Sequence, residues 1–202
     1  GGSGMVGKNF IECDKSINYN IIAPTRKELN LLDFNKVNTF LSKQKPDLIV
    51  HAAGKVGGIQ ANINEPLSFL VENTEIGKNI VLAAKKQNIK NLINISSSCV
   101  YPKNMDVALK EDFVLQGPLE PTNEGYALAK IFVHKLCSYI SNDNKKLKYK
   151  TIIPCNLYGK YDKFDPPNSS GTKIPDQPKA TICDQISLSQ PRKSSLSRNF
   201  LK

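Results

Sequence analysis

Tyr126 and Lys130 stand four residues apart in Tyr126-Ala127-Leu128-Ala129-Lys130, one turn along a single helix face. A free phenol ionises near pH 10, so forming phenolate near neutrality needs about 4 kcal/mol of stabilisation. A neighbouring ammonium and an oxidised nicotinamide ring both favour phenolate, and the same ammonium can hold ribose hydroxyls. The spacing alone is common, and a core tyrosine with a surface lysine reads equally well. It gains meaning from Ile95-Ser96-Ser97-Ser98-Cys99-Val100-Tyr101-Pro102, which follows a predicted strand at its carboxyl end, where open α/β sheets bind ligands. A serine hydroxyl there can hydrogen-bond a substrate carbonyl while Tyr126 passes the proton. Cys99 offers a thiol whose pKa of about 8.5 falls near cations, although by itself it reads as a buried, inert cysteine.

A second constellation opens the chain. Gly1, Gly4 and Gly7 form Gly-x-x-Gly-x-x-Gly before a predicted helix. Glycines permit a tight turn and a close backbone approach to pyrophosphate, while the helix start supplies free N–H groups. A flexible Gly-Ser leader is the alternative for the same residues. About 20 residues on, an NAD site places an acid against the ribose 2′-hydroxyl. This chain has Ala23-Pro24-Thr25-Arg26 instead, and the planar, permanently charged Arg26 suits a 2′-phosphate. The expectation is NADP(H), with an ordinary surface arginine as the plain alternative.

The elements that must position these residues alternate between strand and helix, which predicts a doubly wound parallel α/β sheet of Rossmann type. Helices are expected over residues 5–16, 34–43 after the N-cap Asp33, 66–87 with Pro66 in its first turn, and 125–142. Strands are expected at 20–23, 48–52, 91–96 and 149–154, the second buried on both faces. Because the glycine turn opens the chain, the expected sheet lacks the strand that precedes such a turn, and marginal stability follows. From about residue 165 periodicity gives way to proline, serine, lysine and glutamine. The expected organisation is therefore a dinucleotide-binding domain over 1–164 and an irregular, disordered tail over 165–202.

Composition excludes several classes. The net charge of +10 comes from dispersed lysines rather than a basic block, so nucleic acid is not the expected partner. No apolar run reaches the roughly 20 residues that span a bilayer, and no secretory signal is visible. Five scattered cysteines without a Cys-x-x-Cys pair, and only two histidines, argue against a disulfide framework or a metal site and for a reducing, cytoplasmic compartment.

Several stretches are more specific than Tyr-x-x-x-Lys. Lys55-Val56-Gly57-Gly58-Ile59-Gln60-Ala61-Asn62, Ser97-Ser98-Cys99-Val100-Tyr101-Pro102, Leu119-Glu120-Pro121-Thr122-Asn123-Glu124-Gly125-Tyr126, Asn156-Leu157-Tyr158-Gly159 and Arg26-Lys27-Glu28-Leu29-Asn30-Leu31 together resemble the GDP-L-fucose synthases. These are bifunctional epimerase-reductases of the extended short-chain dehydrogenase/reductase family. The resemblance runs from Gly1 to about Ser169. It implies a GDP-sugar substrate, conversion of GDP-4-keto-6-deoxy-D-mannose to GDP-L-fucose with NADPH, and a homodimer paired through long helices. Carried over by motif, Ser97 would bind the carbonyl, Cys99 would remove the proton beside the ketone, Tyr126 would protonate the C4 oxygen and Lys130 would assist it. Gly1, Gly4, Met5, Val6, Gly7, Arg26, Asn30, Leu31, Ser96, Ser98, Lys130, Pro154, Asn156 and Leu157 would line the cofactor. The family's acid, a histidine in Asn-Ser-His-x-Ile-Pro, is replaced here by Asn168-Ser169-Ser170-Gly171-Thr172-Lys173-Ile174-Pro175. The chain by itself is accordingly expected to be weak or inactive, and the rival readings are another nucleotide-sugar epimerase or dehydratase and a non-catalytic dinucleotide-binding remnant.

Overall fold

The computed structural model describes residues 1–162. The tail, the Asn168 to Pro175 stretch and Cys183 therefore lie outside the described residues. Three parallel strands, β1 (Leu48–His51), β2 (Asn91–Ile95) and β3 (Lys148–Ile152), form a sheet in the order β1-β2-β3. Parallel neighbours need long crossovers, each carrying a helix here. The helices are α1 (Met5–Ile11), α2 (Phe34–Gln44), α3 (Ile59–Asn64), α4 (Pro66–Lys86) and α5 (Glu124–Asp143). The expected Rossmann-like α/β fold is the one found.

The main core lies between the sheet and α2, α4 and α5. The register sets Ile49 beside Leu92 and Leu92 beside Tyr149. This apolar row meets Val37 and Leu41 of α2, Ile80, Val81, Ala83 and Ala84 of α4, and Val133, Cys137 and Ile140 of α5. Helices α4 and α5 touch closely, because a Cβ on Gly77 would sit 2.2 Å from Val133 Cγ2. Local signals agree with this packing: Asp33 caps α2 by accepting from Lys36 N, and Pro66 opens α4 where a missing N–H costs nothing.

Four expectations need correction. The helix expected over 5–16 stops at Ile11, where the Ser16 hydroxyl takes the Ile11 carbonyl and the chain continues as a 3-10 turn, Asp14–Asn18. Residues 20–23 form no strand; Ala23 packs against the glycine turn instead, its Cβ 2.6 Å from where a Cβ on Gly2 would lie. Strand β1 is not buried on both faces: Leu48 is 45% exposed, while Ile49 and Val50 are half-buried, because β1 is an edge of the described sheet. Helix α3 was not anticipated, since its six residues are too few for a periodic signal.

Candidate functional site

The ladder between β2 and β3 extends past both strands. Ser96 N donates to Ile152 O at 2.8 Å and Ser98 N to Pro154 O at 3.1 Å, so the serine run and the segment after β3 leave the sheet side by side. The 3-10 turn Ser98–Val100 follows. Val100, 1% exposed, plugs a second core cluster with Val114, Leu119, Ala127 and Ile131, which ties the turn to the start of α5. Cys99 is thereby held in reach of Tyr126 and Lys130, with the Ser97 side chain hydrogen-bonded to it. The structure brings all four of these residues together.

Their electrostatics follow from burial. Desolvation pushes Tyr126 up to about 12, and the charge of a Cys99 thiolate adds to the rise. The phenol is thus a neutral O–H donor. Lys130, 8% exposed, is lowered to about 8 by desolvation, against an opposing effect of Cys99. Its Nζ donates to Ile95 O at 3.0 Å and stands 5.5 Å from the Tyr126 ring centre. Burial raises the Cys99 thiol, while the Ser97 hydrogen bond and the Lys130 charge lower it. The lysine therefore favours thiolate at Cys99 more directly than phenolate at Tyr126. His51, at the carboxyl end of β1, is lowered to about 3 by burial, then by Lys130; it is a neutral imidazole whose Nδ1 has no partner.

The glycine turn abuts the end of β1. A Cβ on Gly1 would lie 2.3 Å from Ala52 C, and one on Gly7 2.2 Å from Gly1 O. Both positions need glycine for the turn to close. Gly4 differs: a Cβ there would meet just Gly1 O, at an ordinary contact distance of 3.5 Å, so this position is less crowded than Gly1 or Gly7. Met5 and Val6 lie half-buried on α1. Arg26 is exposed in a turn; the Glu72 carboxyl is lowered first by its Ser68 hydrogen bond, then by Lys55, with the Arg26 charge adding least. Asn30 Oδ1 accepts from Leu32 N within its own loop, and Leu31 O accepts from Asn79 of α4, which ties that loop to the helix. Ser96 is 5% exposed with an unpartnered hydroxyl. Asn156, exposed after β3, borders an open cleft of about 360 Å³ together with Ser97, Ser98 and Cys99, and Leu157 lies half-buried beside it in sequence.

Two contributors escape a sequence reading. Asn73 of α4, 4% exposed, accepts from Lys55 N and donates to Lys55 O, clamping the loop after β1. Asn123 lines the cleft with its Oδ1 buried and unpartnered. A polar residue on the buried stripe of α4 was the available signal for the first; the second had none. Among the described residues no group of three His, Cys, Asp or Glu could hold a metal, and Cys13, Cys99, Cys137 and Cys155 form no disulfide. No described helix is long and apolar enough to cross a membrane.

Comparison with known proteins adds an independent line. The model of the NAD dependent epimerase/dehydratase family matches residues 1–177. A GDP-L-colitose synthase of Yersinia pseudotuberculosis is 57% identical over 84% of the chain and 55% of its own length. A GDP-L-fucose synthase of Azorhizobium caulinodans is 48% identical over 84% of the chain and 54% of its own. Among solved structures, a GDP-D-glycero-L-gluco-heptose synthase of Campylobacter jejuni, determined in the presence of NADPH, superposes with a TM-score of 0.76 at 30% identity. It covers 82% of this chain and 48% of its own. The chain spans about half the length of the curated relatives it matches.

Proposed function

The chain belongs to the NAD dependent epimerase/dehydratase family, and from that premise we propose that residues 1–164 are the NADP(H)-binding unit of an enzyme that converts GDP-4-keto-6-deoxy-D-mannose to GDP-L-fucose. The observation that carries this reading is the convergence of Ser97, Cys99, Tyr126 and Lys130 at the carboxyl end of β2. The dinucleotide fits the chain. The uncrowded, exposed backbone at Gly4 suits a pyrophosphate, exposed Arg26 suits a 2′-phosphate, and a relative solved with NADPH has the same fold. A Cβ on Gly54, just beyond the Gly1 contact, would lie 3.9 Å from Lys130 Nζ, so turn and catalytic cluster are neighbours.

When bound, NADPH supplies a hydride to the ketone carbon. The Tyr126 phenol, kept neutral by burial, would give its proton to the carbonyl oxygen, and Ser97 would donate a second hydrogen bond to it. A ketone acidifies the carbons on either side. Cys99 as thiolate takes a proton from one of them, and the electron pair moves into the carbonyl to give an enolate that the two hydroxyls stabilise. Inversion of the carbon then needs a proton on its other face, which solvent water would have to supply because Asn168 to Pro175 lacks the family's histidine. Incubation with NADPH and the keto-sugar, followed by chromatography of the GDP-sugars, tests the reading. The chain by itself should turn over weakly or not at all, any product it forms should be GDP-L-fucose, and turnover of UDP- or dTDP-sugars alone would overturn the reading.

A second reading has one observation in its favour. The colitose relative shares 57% of aligned residues against 48% for the fucose relative, which supports a substrate lacking the hydroxyl at carbon 3. The dimer belongs to the same proposal. Leu67, Val71, Leu128 and Phe132 are exposed on the outer faces of α4 and α5, helices of 21 and 20 residues, and a second copy would cover them. Light scattering on Phe132→Glu should then report a monomer. The reading implies a cytoplasmic enzyme, as unpaired cysteines among the described residues support.

A further inference from the structure

We propose that Asn123 is a specificity residue, whose carboxamide oxygen accepts a hydrogen bond from a sugar hydroxyl beside the ketone; this deepens the preceding functional reading and rests on it. Asn123 precedes α5, where an asparagine ordinarily turns its oxygen onto the N–H groups of the first turn. Here the side chain makes no capping bond. Its Oδ1 is buried without a partner, in a residue that borders the cleft shared by Ser97 and Cys99. A buried carbonyl left unpaired is costly, yet the local geometry holds it there. Asn123 N donates to Glu120 O, and the Glu120 carboxylate takes both Thr122 N and the Thr122 hydroxyl, which fixes the 3-10 turn Pro121–Asn123.

The chemistry of the missing partner follows. An amide oxygen accepts and cannot donate, so a phosphate or a ketone cannot satisfy it, whereas a hydroxyl can. Asn123 lines the same cleft as Ser97 and Cys99, on the turn that leads into the first turn of α5 and Tyr126. The hydroxyl it reads is therefore adjacent to the carbonyl that Tyr126 serves. A site with a buried acceptor waiting for a hydroxyl discriminates strongly against an analogue that lacks it.

The test is calorimetric titration of the chain, saturated with NADP+, using GDP-4-keto-6-deoxy-D-mannose and its 3-deoxy counterpart. Wild type should prefer the hydroxylated sugar by about tenfold or more. Asn123→Ala should erase that preference by weakening the hydroxylated sugar alone, and Asn123→Asp, which keeps an acceptor, should retain most of it. Equal binding of both sugars by wild type, an undiminished preference in Asn123→Ala, or equal weakening of both sugars would each overturn the assignment. Should Asn123→Ala not fold, Asn123→Asp decides, since loss of its preference counts against an acceptor role. Binding of NADP+ with neither sugar bound would instead sink the functional reading beneath it.

Discussion

The two faces of the sheet are built differently. On one, Leu92 and Tyr149 are 0% and 4% exposed under α2, α4 and α5, and even the polar row His51, Asn94 and Thr151 is drawn in, with Asn94 bonded to the Thr151 hydroxyl. On the other, Val50, Ile93 and Ile152 are only half-buried and Lys150 is exposed, although Ile95 beside Ile152 is buried. Helix α1, which carries the glycine turn, buries just Gly7. Polar contacts hold it: Asn9 donates to Lys160 O, and Lys160 and Tyr161 both bond to Glu12. The catalytic cluster is anchored to the second apolar cluster around Val100, whereas α1, which carries the turn proposed to hold the dinucleotide, is held by polar contacts to the segment after β3. Ligand-binding segments are commonly drawn from the less stable part of a fold, and this chain anchors the two roles differently.

The largest effect should come from neighbours in sequence that point opposite ways. Leu92→Ala removes a fully buried side chain and should cost about 2–5 kcal/mol. Ile93→Ala, one residue on and half-buried, should cost about 1 kcal/mol, for want of much buried area to lose. Urea denaturation of both variants measures the contrast, and equal losses would show that the faces carry equal weight.

A smaller effect tests the seam where the catalytic cluster meets the core. Lys130 has its folded pKa lowered from 10.5 to about 8 by burial, so between those values the unfolded chain holds a proton that the folded chain has released. Stability contributed by this group is thus lowest below pH 8 and recovers as pH rises toward 10.5. Linkage puts the recovery at about 3 kcal/mol. The measurement is the difference in pH dependence between wild type and Lys130→Met, which cancels other titrating groups. Below pH 8 the variant should be more stable, less what is lost when Ile95 O gives up its hydrogen bond. Identical slopes would mean that the amine is solvated after all.

Much of this division was legible in the sequence, and the exceptions have physical causes. The long amphipathic helices, the capping Asp33, Pro66 and the β-branched runs carry their own signals, and β2, β3, α2, α4 and α5 stand within two residues of expectation at nearly every end. Residues 20–23 failed because a strand is defined by its neighbour, and propensity does not say whether one is present. The burial of β1 failed for the same reason. At the site, Ser97, Cys99, Tyr126 and Lys130 were readable as motifs, but that the lysine acts on Cys99 depends on where the fold sets its buried amine, which spacing does not state. Asn73 and Asn123 act through backbone contacts and an orphaned oxygen, which spacing does not encode.

The smallest effect concerns the polar latch on α1. The Glu12 carboxyl is held below its ordinary range, first by its hydrogen bond to Lys160 and next by that to Tyr161. Both partners are solvent-accessible, so the contact adds little to global stability. Its consequence is positional: without it, the tie of α1 and the glycine turn to the segment after β3 is reduced to the Asn9 hydrogen bond to Lys160 O and the Lys8 contact on the Tyr161 ring. Glu12→Gln should leave the denaturation midpoint nearly unchanged while weakening NADPH binding a few-fold, as read by quenching of protein or dinucleotide fluorescence. The polar contacts would then fix ligand geometry without fixing the fold. A fall in midpoint comparable to that of Leu92→Ala would instead make α1 part of one cooperative core, and the difference in anchoring would dissolve.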